Sequence, residues 1–190
     1  MAELKAIQNY LNSFAREVIA EAKENLQNAG KGGGDLEKSL KFRVKPKPDG
    51  FEVEFLMANY GTFVDKGVKG KGGKIGDKNY GGRRWFINAE GKRQDSPYKF
   101  GSGSGKKGGL RKGIASFIRK KGLQPRSEGG QYMSTKSLIF LFSRSIYIRG
   151  IHGISFFQKP LGKHMENFGL GFLGALKEDI FTGLTKFKQS

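Results

Sequence analysis

The chain has 190 residues, no cysteine, and 35 Lys and Arg against 17 Asp and Glu, a formal charge of +18 at neutral pH. At roughly 100–200 residues per domain this length suits one strongly basic domain with a core of fair size, and the missing cysteine excludes disulfides, thiolate catalysis and zinc sites built on Cys. A hydrophobic share of 36% with 16 Phe is enough to fold, while 30 Gly mark a good part of the chain as loop.

Leu4, Ile7, Leu11, Phe14, Val18, Ala22 and Leu26 recur at steps of three and four, which predicts an amphipathic helix from about Ala2 to Asn28 that stops before Gly30. Next, Leu40, Phe42 and Val44 alternate with Lys41, Arg43 and Lys45, and Phe51, Val53 and Phe55 alternate with Glu52 and Glu54. With Lys47 to Gly50 as the turn, Val44 faces Val53 and Phe42 faces Phe55, while Lys45 faces Glu52 and Arg43 faces Glu54. A slip of one residue would turn charged side chains into the core, so the register is well specified.

From Lys66 to Lys121 the chain holds 17 Lys and Arg against 3 Asp and Glu, +14 of the total +18. Gly101–Gly109, sequence GSGSGKKGG, has the composition of a flexible linker. The span reads as a basic, Gly/Lys-rich insertion over 66–121 within a single domain of 1–190. Inside it, Trp85 and Ile87 fit a short strand, and Leu110, Ile114, Phe117 and Ile118 a short basic helix ending at Gly122.

Further on, Ser134 or Thr135 can cap a helix carrying Leu138, Ile139, Phe142, Ile146 and Tyr147 and closed by Gly150. A last helical pattern starts near Pro160 and repeats through Leu161, Met165, Phe168, Phe172, Leu176, Ile180 and Leu184. The element order gives an α+β fold, a small antiparallel β-sheet packed by long N- and C-terminal helices. Its expected core is Phe14, Val18, Phe42, Val44, Val53, Phe55, Phe142, Phe157 and Phe168.

Motifs for catalysis are weak. His152 and His164 have no carboxylate near them in sequence except Glu166 and read as a loop His and a helix-surface His. Ser102 and Ser104 lack the strand-turn-helix context of a nucleophile elbow, and Gly103, Gly105 and Lys106 miss the phosphate-loop spacing. Asp65 has no partner acid and reads as a structural or interface carboxylate. No enzyme activity, metal or cofactor is expected. Tyr80, Trp85, Phe86, Tyr98 and Phe100 are interleaved with basic residues, which suits stacking on single-stranded bases or the cover of a small satellite core. The charge favours an anionic partner, nucleic acid or an acidic protein surface. No secretory signal and no apolar run of about 18 residues is present, so a soluble intracellular or particle-borne protein without membrane contact is expected.

The order of these segments resembles a known family. Gly34-Asp35-Leu36-Glu37-Lys38-Ser39-Leu40, the hairpin, Tyr60-Gly61-Thr62-Phe63-Val64-Asp65-Lys66-Gly67, and Gly150-Ile151 leading to Phe156-Phe157 and Pro160-Leu161 are similar to the tail-completion or head-tail joining proteins of tailed bacteriophages. There, a "Gly-x-Leu-x-x-Ser" start precedes the sheet, "Tyr-Ala-x-x-Val-Glu-x-Gly-Thr" follows it, and "Arg-x-Gly-Ile … Pro-Phe-Phe" opens the last helix. Here Gly61 stands for the usual Ala and Asp65 for the usual Glu, and Phe117–Gly122 looks like the family's "Trp-Ile-x-x-Lys-Gly" element.

The resemblance implies a virion neck protein, assembled in the host cytoplasm, whose homo-oligomeric ring, typically of six subunits, joins the portal-side connector to the tail around the DNA channel. A tail terminator or a small non-specific nucleic-acid-binding module are the alternatives. Its partners would be connector and tail proteins, with non-specific contact to genomic DNA compatible with the charge. Docking or channel contacts are assigned to Lys69, Lys71, Lys74, Arg83, Arg84, Lys106, Lys107, Arg111 and Lys112, and a subunit interface to Tyr60, Val64 and Asp65.

Overall fold

A computed structural model of the chain describes residues 4–100, 109–124 and 130–187, with side chains as far as Thr185 in the last helix. In chain order the elements are α1 (Lys5–Asn28), α2 (Asp35–Ser39), β1 (Lys41–Lys47), β2 (Gly50–Leu56), α3 (Gly61–Lys66), β3 (Val68–Lys69), β4 (Gly73–Ile75) and β5 (Lys78–Tyr80). Then come β6 (Trp85–Ile87), β7 (Arg93–Asp95), α4 (Gly109–Lys121), α5 (Thr135–Arg149), β8 (Gly150–Ile151), α6 (Gln158–Glu166) and α7 (Phe168–Phe187). The fold is α+β, with long terminal helices and two-stranded sheets pairing β1 with β2, β3 with β8, β4 with β5 and β6 with β7. Two compact units result: Met1–Asp65 with Ile87–Gln94 and Ile154–Ser190, and Lys66–Phe86 with Asp95–Gly153.

In the first unit, α1 buries Ile7, Leu11, Phe14, Ala15, Val18, Ile19, Ala22 and Leu26, the stripe its spacing prescribes. Leu4 lies ahead of the helix and is exposed. The N-terminus of α1 has no side-chain cap of its own. Instead the two carboxylate oxygens of Asp179 accept from the N–H groups of Ala6 and Ile7, both at 2.9 Å. A charge from α7 thus satisfies donors that the helix cannot pair itself, at its positive end.

The hairpin has the register its alternation prescribes, with Phe42 opposite Phe55 and Val44 opposite Val53. Its ion pairs run on the diagonal: Lys45 Nζ meets Glu54 at 2.6 Å and Lys47 Nζ meets Glu52 at 2.7 Å. Long side chains on a twisted pair reach the residue two beyond their opposite number. Phe42 and Phe55 pack, partly buried, on the cluster of Phe14, Val18, Leu26, Phe156 and Phe157, and Val44 and Val53 on Ile7 and Leu11.

The last helical pattern is two helices rather than one. Asn167 leaves helical geometry at φ −103°, ψ 2°, so α6 keeps Leu161 on the Phe156–Phe157 cluster while Phe168, Phe172, Ala175 and Leu176 of α7 follow Ile7 and Leu11. Glycines serve close approach here. A Cβ on Gly162 would overlap the Ala89 carbonyl oxygen, and one on Gly171 would fall 2.5 Å from the Tyr10 hydroxyl.

The second unit is built around the stretch from Val68 to Gly72. Val68 pairs with Ile151 and Lys69 with Gly150, Lys69 N–H donates to Tyr98 O at 2.7 Å, Gly70 N–H to Gly82 O at 2.7 Å, and Lys71 N–H to Tyr147 O at 2.8 Å. Helix α5 begins with the Ser134 hydroxyl accepting from Ser137 N–H at 3.1 Å and ends at Gly150, φ +81°, which glycine adopts without strain. It packs on α4 through Leu138, Ile114 and Ile118. Because α5 belongs to this small core, the unit reaches Gly153, well past Lys121. Phe142, expected in the common core, is 38% exposed.

Replacing Phe156, fully buried in the first unit, by Ala should cost about 3–5 kcal/mol, whereas Phe142→Ala should cost about 1 kcal/mol or less. Urea midpoints of the two variants check this contrast.

Candidate functional site

Charge is divided unequally between the units. The second holds 19 Lys and Arg against 3 Asp and Glu, +16 of the total +18, which leaves +2 on the first. Backbone pairing displays these side chains. Lys69 lies on β3 with both its backbone groups bonded, to Tyr98 O and Phe100 N–H, and Lys74 sits on the β4–β5 hairpin opposite Asn79. Lys71, Lys74, Arg83, Arg111 and Lys112 are exposed, and Lys69 and Arg84 half-buried. Lys106 and Lys107 lie outside the described residues. Exposed basic side chains of this kind attract phosphates or carboxylates without reading a base sequence.

Of the aromatic residues interleaved with basic ones, Phe86 is buried and Tyr80, Trp85, Tyr98 and Phe100 are half-buried, whereas Phe117, Tyr132, Phe140 and Phe142 of the same unit are exposed. Phe86 is 3% exposed with Lys66 Nζ 5.7 Å from its ring centre. Arg149 lies 4.4 Å over the Tyr80 ring and donates to its hydroxyl at 2.8 Å, Trp85 meets His152 edge-on at 4.8 Å, and Phe100 lies 6.0 Å from Tyr147. These contacts suit the cover of a satellite core.

A second constellation lies in the first unit, where two segments of the family-like pattern meet. Ile154 N–H donates to Val64 O at 3.1 Å and Ser155 N–H to Asp65 O at 2.9 Å. Asp65 is 2% exposed, and its Oδ1 accepts from Phe157 N–H at 2.9 Å and Gln158 N–H at 3.4 Å. An acidic oxygen at the start of α6 takes up helix donors that have no partner within the helix. Of the two roles open to Asp65, the structural one is occupied; Val64 is half-buried beside it and Tyr60 is 46% exposed.

Ser155, which the sequence did not mark, is the hub of this junction. It is buried, has φ +53°, and its hydroxyl accepts from Ile87 N–H at 2.7 Å. A positive φ on a residue with a side chain is uncommon and is held by surrounding bonds. The third segment is tied to the end of the hairpin: Ser39 Oγ accepts from Ala58 N–H at 2.9 Å. At Gly61, where the resemblance has Ala, a Cβ would fall 2.7 Å from Met57 Sδ and 2.9 Å from Leu36, so the glycine makes room for these two side chains.

His164 differs from its sequence reading. On α6 it meets Glu17 at 3.4 Å and Glu21 at 3.1 Å, and Lys163 joins Glu21 at 3.1 Å. The fold supplies from α1 the carboxylates that the local sequence lacks; Glu17 and Glu21, one helical turn apart beside the apolar stripe, were the available signal. Among the described residues no three His, Asp or Glu side chains gather in a way that could hold a metal ion, and no helix is long and apolar enough to cross a membrane. No family model, curated protein or solved structure matches the chain.

Asp65→Ala leaves two N–H groups at the start of α6 without their acceptor and should cost about 2–4 kcal/mol. Asp65→Asn, which keeps an acceptor oxygen, should lose less. Equal losses in the two variants, measured by urea unfolding, would contradict the hydrogen-bonding role.

Proposed function

We propose that this chain is a non-enzymatic structural protein of the tailed-phage neck, acting by geometry and charge as one subunit of a homo-oligomeric ring between connector and tail. The concentration of +16 in one unit, beside a nearly neutral unit of helices and hairpin, carries the reading. Such a subunit separates a body able to pack against protein from a surface that attracts anions. The basic, glycine-rich span Lys66–Lys121 serves on this reading as docking arm or channel lining, and the segments of the resemblance supply the identity. Closed rings use heterologous contacts, in which one surface of a subunit meets a different surface of the next. Lys69, Lys71, Lys74, Arg83, Arg84, Arg111 and Lys112 face the acidic neighbour or the genome, joined by Lys106 and Lys107.

The same charge also favours a free nucleic-acid-binding module. The two readings part in solution. A binder holds DNA tightly on its own, with log affinity falling steeply against log salt; a neck protein assembles on connectors or tails and holds free DNA weakly.

Reversing Lys71, Lys74 and Arg83 to Glu together alters exposed side chains only, so circular dichroism and melting temperature should stay as in the parent. Attachment to connectors or tails should fall at least tenfold. If DNA is the partner, the salt slope should drop by about 2–3 for three lost phosphate contacts. Parental assembly and parental DNA binding together would sink the assignment.

A further inference from the structure

Helix α7 is apolar on two opposite sides. One side, with Phe168, Phe172, Ala175 and Leu176, packs along α1 and is pinned by the Asp179 carboxylate on the α1 N-terminus. The other carries Leu170 (77% exposed), Leu173 (61%), Ile180 (53%), Phe181 (57%) and Leu184 (61%). At 100° per residue these five side chains fall within about a third of the helix circumference. A helix that is hydrophobic all round is ordinarily covered all round, and α7 is covered on one side.

We propose that this outer face of α7 packs against α7 of a second copy of the chain. Three observations point to that occupant. First, Leu170, Leu173, Lys177, Ile180 and Leu184 are spaced three, four, three and four, the seam of a helix pair, with a single charged residue at its middle position of the kind that sets register and number of strands. Second, α7 is electrically balanced, Lys177 and Lys186 against Glu178 and Asp179, inside a chain of +18. Two copies brought together along it meet without the like-charge repulsion that the second unit would impose. Third, the exposed fractions amount to on the order of 500 Å² of apolar surface, at the upper end of what a monomer leaves open and more than half of the roughly 800 Å² per partner in a stable interface.

Lys177 fits the seam. Its ammonium lies 5.8 Å from the Phe181 ring centre, so its stem covers apolar surface while its charge stays at the rim. The pairing shares with the neck reading only the premise that copies associate, and it is an isologous contact, separate from the heterologous contacts that close a ring.

The chain has no cysteine, so Lys177→Cys places a single thiol at the centre of the seam, where parallel and antiparallel pairs alike bring the two copies together. Mild oxidation of the purified full chain should convert most of it to a disulfide-linked dimer, and Glu24→Cys, on exposed α1 surface, should stay monomeric on the same gel. Leu173→Lys with Ile180→Lys should reduce the mass found by light scattering to that of a smaller species, with circular dichroism and melting unchanged because both side chains are exposed. A Lys177→Cys chain that fails to cross-link above the Glu24→Cys background, or a double variant that keeps the parental mass, would overturn the pairing. Failure of the Lys177→Cys cross-link in a chain that still forms rings overturns the pairing while leaving the neck reading in place; cross-linked pairs that never form rings or attach to connectors or tails do the reverse.

Discussion

The Asp65 carboxylate is the tie on which the chain's two-unit organisation depends. It joins residues 92 positions apart, and the two backbone bonds beside it, Val64 to Ile154 and Asp65 to Ser155, bring together the first-unit residues at which the chain first leaves that unit and finally returns to it, with Ile87–Gln94 an intermediate visit. Between those points lies the whole second unit. Closing so long a loop costs entropy that grows only slowly with length, and bonds formed inside a dry core beside Phe156 and Phe157 meet that cost. The φ of +53° at Ser155 is affordable for the same reason, since its amide, its hydroxyl and its carbonyl are each engaged. Inside the second unit, β3 and β8 pair in the same way.

Charge follows from this arrangement. A compact unit carrying +16 repels itself, and among its described residues the buried hydrophobic side chains are few: Val68, Phe86, Ile114, Ile118 and Leu138. Its backbone is correspondingly well bonded: four consecutive N–H groups, Lys69 to Gly72, donate to three separate segments. Glycine is required where those segments cross. A Cβ on Gly70 would come within 2.6 Å of Gly150 N, so this glycine serves close packing of backbone on backbone. Backbone hydrogen bonds along Lys69 to Gly72, rather than a large core, therefore hold the strands that carry Lys69 and Lys74.

Much of this was legible in the sequence where one periodicity and one environment coincide. The hairpin register was written in its alternation, α1 in its three-and-four repeat, and α5 in Ser134 at one end and Gly150 at the other. Helices α2 and α3, of 5 and 6 residues, are too short for a period to declare itself. The break at Asn167 was hidden because the apolar repeat runs on through it, although the helices on either side follow different parts of α1. What local reading misses most is partners remote in sequence. Asp179 on the α1 terminus, Glu17 and Glu21 on His164, and Ser155 on Ile87 leave no local trace, and each decides how elements are joined. Phe142 is exposed for a related reason: its spacing places it on helix α5, but the α5 residues that reach the small core are Leu138, Ile139 and Ile146.

The division of charge also bears on how copies of such a chain can meet. Over separations shorter than the Debye length, about 8 Å at physiological salt, two second units in contact would confront each other with their full excess of positive charge. Apolar burial would have to outweigh that repulsion, and four of the exposed apolar side chains there, Phe117, Phe140, Leu141 and Phe142, stand on helices that also carry Arg111, Lys112, Arg119, Lys120, Lys121 and Arg144. An anion placed between such surfaces removes the penalty. Contact through the second unit is therefore conditional on an acidic partner or on nucleic acid, whereas contact through α7 requires only a copy of the same balanced, apolar helix.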